Sequence, residues 1–145
     1  MKPPAPDLSY FRLSLMDFLK ESHPERLQER RFILSCADAA TEAYRQTILS
    51  GHTTVEAAEQ ANTVLFKDLL FSRYDTLVNI LWNEFPDEVP EDQARSLAMQ
   101  LMPECEPLFA QYPLSDDFAY DPQYELLYTE LTGAIAIYLE GRGIQ

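Results

Sequence analysis

Glycine is scarce in this chain: four residues in 145, at Gly51, Gly133, Gly141 and Gly143. So few disfavour a turn-rich β fold, and their spacing makes neither a GxGxxG nor a P-loop phosphate cradle. Histidine is scarcer, with only His23 and His52. No Glu-x-x-His pair, His-Glu-x-x-His or Cys-x-x-Cys occurs, so the usual zinc and diiron signatures are absent and no metal or other cofactor is expected. Each histidine reads as a polar residue at a helix boundary. Cys36 and Cys105 lie far apart, each inside a helical pattern and without a histidine in local reach. They read as buried thiols, not as a disulfide or a nucleophile. No window approaches eighteen apolar residues, so nothing is expected to span a membrane. The opening MKPPAPDLSY puts prolines and an aspartate where a secretory signal needs an apolar run. Cytoplasmic residence is the resulting expectation.

Acid is abundant. Eleven Lys/Arg face 24 Asp/Glu, a net charge of −13 with a pI near 4.4. The excess is lopsided: residues 1–83 hold nine basic and eleven acidic side chains, whereas residues 84–145 hold two (Arg95 and Arg142) and thirteen. Such a surface repels phosphate backbones and anionic lipid, which argues against direct nucleic-acid or membrane binding. Hydrophobic content of 46% with 12% aromatics supports a true core.

The stretch SRYDTLVNILWNEF, residues 72–85, carries the only tryptophan. Its apolar residues Tyr74, Leu77, Val78, Leu81, Trp82 and Phe85 fall on one helical face, and Ile80 widens the cover. Ser72 suits the N-cap, with Asp75 at the third helical position. The remaining helices are expected to enclose this one, with Trp82 in the core. A first helix spans residues 8–21 behind a Pro-rich leader, residues 1–7, that is expected to fray. A second starts at Pro24 and runs with a bend to Ser50, its Leu27, Leu34, Thr41 and Ile48 repeating every seven residues and small Ala37 and Ala40 allowing close approach. Gly51 suits the position after its end. Thr53 and Glu56 form a capping box for a third helix reaching about Leu69, with Val55, Ala58, Ala61, Leu65 and Leu69 inward. Leu70-Phe71 should be a buried link. Pro86 stops the helix of residues 72–85, and PDEVPED is an acidic turn. A fifth helix covers residues 90–102, and Pro103 with Pro107 predicts a separate, offset helix over 103–111. Residues 112–121 read as a loop. Asp121-Pro122 opens a last helix that carries Leu127, Leu131 and Ile135 and ends at Gly141 or Gly143. Gly133 inside it suggests close helix contact. The expected architecture is all-α: one compact domain, residues 1–145, of six or seven helices around residues 72–85.

Two acidic segments are candidate sites. Glu84, Asp87, Glu88, Glu91 and Asp92 surround Val89, either as a solvated turn or as a docking surface for a basic protein partner. Asp116 and Asp117, with Asp121, resemble half a calcium loop without its glycine and terminal glutamate. Turn and helix capping by Asp116 and Asp121 is the plainer account. Tyr120 beside them is an interface candidate, whereas Phe118 reads as a plug on the core. No catalytic residue is indicated. The reading is a non-enzymatic interaction module whose acidic C-terminal half engages a basic protein, with nucleic-acid mimicry as a specific version. The alternative is a small-molecule- or metal-binding protein, or an enzyme, using the loop 116–121. A third and plainest reading is that the negative charge serves solubility alone, and homodimerisation through a helix face is compatible with any of these.

The runs LSYFRLSLMDFL, YDTLVNILWNEFPDEVPED, LFAQYPLSDDFAYDPQYELLYTEL and GAIAIYLEGRG carry a resemblance over nearly the whole chain. The sequence resembles a family of uncharacterised small acidic helical bacterial proteins, a domain of unknown function associated with integrated conjugative elements. The resemblance implies a compact helical fold and a cytoplasmic, mobile-element setting. It implies no catalytic residues.

Overall fold

The computed structural model describes residues 6–143, with side chains to Gly141, and the expected fraying of the leader falls largely outside that range. The described residues form six α-helices joined by turns, three of which include a single 3₁₀ turn, and no strand. Packing divides the chain into two compact units, residues 1–69 and 70–145, each with its own apolar core.

The first unit holds α1 (Leu8–Ser22), α2 (Arg30–Leu49) and α3 (Thr54–Leu65). Its core joins Phe11, Leu15 and Leu19 to Ile33, Ala37, Ala40, Ala61, Leu65 and Leu69. The local signals between α2 and α3 act as the sequence predicts. Gly51 takes φ +91°, with its N–H on Ile48 O (3.0 Å) and the His52 N–H on Thr47 O (3.2 Å), the Schellman arrangement. Thr53 and Glu56 close a reciprocal capping box.

Three expectations are corrected here. Pro24 opens only a 3₁₀ turn, Pro24–Arg26, and α2 begins afresh at Arg30. Between them Glu29 leaves helical geometry (φ −80°, ψ 75°), and its carboxylate accepts two hydrogen bonds from Arg26 at 3.0 and 3.2 Å, tying the turn. The sevenfold line is not the buried one either. Leu34 and Ile48 are exposed, while Ile33, Ala37 and Ala40 face inward. A seven-residue repeat drifts by about 20° per heptad on a straight helix, so the small residues that admit α3 set the face. Likewise α3 ends at Leu65 and buries Ala57, Ala61 and Leu65, with Val55 exposed. Leu69 reaches the core through a turn in which Asp68 takes the left-handed conformation (φ 66°) that Asp tolerates better than most residues.

His23 is more than a polar boundary residue. It is buried against Phe18, and its Nε2 lies 2.7 Å from Leu69 O, closing the end of the unit onto its first turn.

The second unit holds α4 (Arg73–Glu84), α5 (Ala94–Phe109) and α6 (Gln123–Gly143), which pack on one another. Ser72 caps α4 through the Asp75 N–H (2.9 Å) as expected. Phe71 is buried but Leu70 is exposed, so only half of the link enters the core. The buried side of α4 is Tyr74, Thr76, Leu77, Val78, Ile80 and Leu81. Thr76 satisfies its hydroxyl on Ser72 O at 2.8 Å. Trp82, expected in the core, is 36% exposed. It stands about 40° round the helix beyond Val78, at the rim of a buried arc that Ile80 and Thr76 extend in the opposite direction.

α5 runs unbroken through Pro103 and Pro107, where a separate helix was expected. The four-residue spacing puts both prolines on the exposed side, leaving the carbonyls they cannot bond towards water. Meanwhile Leu97, Ala98, Leu101, Met102, Cys105 and Phe109 continue the buried face across both. Continuous burial holds the helix through a defect that local propensity alone would make a break.

Gly133 in α6 is exposed, and a Cβ added there would meet nothing within 4 Å, so close helix contact does not explain it. Gly133→Ala should therefore stabilise the protein by about 0.5–1 kcal/mol, read as a raised denaturation midpoint with an unchanged m-value. A lowered midpoint would show that the position needs to be bare.

Candidate functional site

Pro86 ends α4 and Ala94 begins α5, so the intervening acidic residues are confined to one turn of the second unit. Val89 pins that turn: it is buried, and its N–H bonds Phe85 O at 3.0 Å. With Val89 turned inward, Asp87, Glu88, Glu91 and Asp92 project outward, and all four are exposed. Glu84 is exposed at the end of α4, where its carboxylate accepts the Tyr128 hydroxyl at 3.0 Å.

Trp82 belongs to this surface. Its indole N–H donates to Glu91 O at 3.3 Å, and the Arg95 guanidinium lies 5.5 Å from its ring centroid. Trp82, Glu91, Asp92 and Arg95 line one shallow hollow, and Trp82 with Pro86, Val89 and Glu91 another. The tryptophan is thus a partly exposed aromatic beside carboxylates. Assigning it to the core by its apolarity concealed this. The available signal was its place at the edge of the helical arc, one turn from the acidic run.

The second candidate segment divides by role. Asp116 is half-buried, and its Oδ1 accepts the Leu70 N–H at 3.0 Å. It ties the loop to a distant backbone position instead of capping a local turn. Asp121 Oδ1 accepts the Gln123 N–H at 2.8 Å at the start of α6, the capping role expected of it. Phe118 is buried, edge-on to Phe71 and Tyr112 at 5.3 and 5.9 Å and near Tyr124 at 6.3 Å, and so plugs the loop as expected. Asp117 and Tyr120 are exposed, Tyr120 at 89%. Among the described residues no three His, Cys, Asp or Glu side chains converge as a metal site.

The cysteines differ from each other. Cys105 is buried, and its burial, with a smaller contribution from Glu104, raises the thiol to about 11. Cys36 is half-buried and raised by burial, partly offset by Arg26. No helix among the described residues is long and apolar enough to cross a membrane.

A family model described as a domain of unknown function, DUF1896, matches residues 4–144. The crystal structure of protein PG0816 from Porphyromonas gingivalis is 42% identical, with a TM-score of 0.91 over 94% of this chain and 93% of that one. None of the curated proteins matches.

Proposed function

This chain belongs to the DUF1896 family, and from that starting point we propose that it is a non-enzymatic interaction module whose acidic second unit engages a basic protein partner. One observation carries the reading: four outward carboxylates, Asp87, Glu88, Glu91 and Asp92, stand on one turn beside partly exposed Trp82. Opposite charge steers encounter and suppresses wrong partners, whereas an aromatic anchor supplies binding energy through buried area. The second unit strengthens the bias, with three Lys/Arg against fourteen Asp/Glu. Glu84 flanks the turn, and exposed Asp117 and Tyr120 provide a further acidic–aromatic element of the same unit. Asp116 acts beneath them as a tether.

In its most specific form the partner is a DNA-binding protein of a mobile element, held in the cytoplasm by carboxylates that occupy its phosphate-binding groups. The resemblance to proteins of integrated conjugative elements supports that setting. For the loop 116–121, the hydrogen bonds of Asp116 and Asp121 support a structural role over ligand chemistry.

The test is affinity capture from the source organism with the wild-type chain as bait. A basic protein should be retained by wild type, eluted by salt, and lost with the fourfold variant Asp87→Asn, Glu88→Gln, Glu91→Gln and Asp92→Asn. Retention by that variant would reject the acidic turn as the docking surface.

A further inference from the structure

The acidic turn, α5 and Leu139 of α6 enclose an open groove of about 510 Å³, in which Leu139 is half-buried, Pro90 is exposed, Val89 and Leu97 are almost wholly buried, and Glu88, Ser96 and Gln100 add polar groups. A second hollow of about 340 Å³ shares Glu88 and Leu139 with the first and continues past Phe85 and Ala136 to Glu140. The two form one path. Polar and apolar residues line the first groove equally, the second hollow adds half-buried Phe85 and Ala136, and carboxylates stand at the junction and in the second hollow.

Resting on the interaction reading above, we propose that this groove receives a basic amphipathic helix of the protein partner. Its apolar stripe would cover half-buried Leu139, Ala136 and Phe85, and Lys or Arg beside that stripe would meet Glu88 and Glu140. Three physical points select this occupant. Phosphate would gain nothing from the apolar lining and would be repelled by the acidic unit, which excludes nucleic acid. An acidic or phosphorylated segment is repelled for the same reason. An extended peptide would find no strand edge, since the described residues form no strand. The occupant must therefore satisfy its own backbone hydrogen bonds, and a helix does so while presenting apolar residues three and four apart.

Fluorescence anisotropy with the full chain and two labelled Leu/Lys peptides of identical composition tests this. One peptide is patterned as an amphipathic helix, and the other is scrambled to remove the helical period. The patterned peptide should bind at least about tenfold more tightly, and salt should weaken it. Ser96 is exposed on α5, so Ser96→Arg should block the groove, lowering affinity about tenfold or more without moving the thermal melt. Equal binding of the two peptides, no binding of either, or full affinity in Ser96→Arg would overturn the groove assignment. If the fourfold neutral variant still loses its captured partner in those cases, the acidic-turn reading stands and only the helix in the groove falls. If that variant keeps its partner as well, both fall.

Discussion

Phe118→Ala should destabilise the protein by about 3–5 kcal/mol, although residue 118 lies in a connection with neither helical nor strand periodicity. The cost follows from its surroundings. The ring is 1% exposed and sits among Phe71, Tyr112 and Tyr124, which reach it from the start of the unit, the end of α5 and the start of α6. Truncation removes the apolar transfer energy and leaves a cavity that three rings from separate segments cannot close together. Chemical denaturation should show a lowered midpoint with the slope retained. A loss below about 1 kcal/mol would mean that the loop lifts off without disturbing the core. Phe118→Leu should recover much of the loss, because it refills most of the volume.

Ile80→Ala and Trp82→Ala should fall far apart despite standing two residues apart on α4. Ile80 is fully buried, so its truncation should cost about 2–5 kcal/mol. Trp82 is a third exposed and at the rim, so its removal should cost less, about 1–2 kcal/mol, even though its side chain is larger. Capture of the proposed partner should respond in the opposite order. Trp82→Ala should weaken it while the fold persists, since an aromatic beside carboxylates is suited to anchoring a partner. If Trp82→Ala costs as much stability as Ile80→Ala, the tryptophan is a structural residue and the proposed anchor is withdrawn.

The contrast between these two residues also marks where sequence reasoning succeeds. Caps were legible because their chemistry is complete within three or four residues: Ser72 with Asp75, Thr53 with Glu56, and Gly51 after α2. Which side of each helix faces inward was less legible. Ala57 and Ala58 are chemically identical, and only the neighbouring helix makes one the interior residue. The same holds for Ile33 against Leu34. Proline misled at Pro103 and Pro107 because its local penalty was opposed by burial along the whole of α5, a term no short window contains. The boundary between the two units passes between Leu69 and Leu70 without any change of composition to announce it. At the candidate surface the carboxylates were plain from the acidic run. The groove was not, since Leu139 joins Val89 and Leu97 only once α5 and α6 have packed.

The two cysteines acquire a use from their placement. Cys36 lies in the first unit and Cys105 in the second, one thiol in each. With its thiol at about 11, Cys105 is almost wholly protonated at neutral pH as well as shielded, so alkylating reagents reach a reactive thiolate there only during an opening of its unit. Half-buried Cys36 is accessible by smaller excursions. Alkylation followed site by site thus becomes an intrinsic clock for each half of the molecule, reporting how often it opens without any introduced probe.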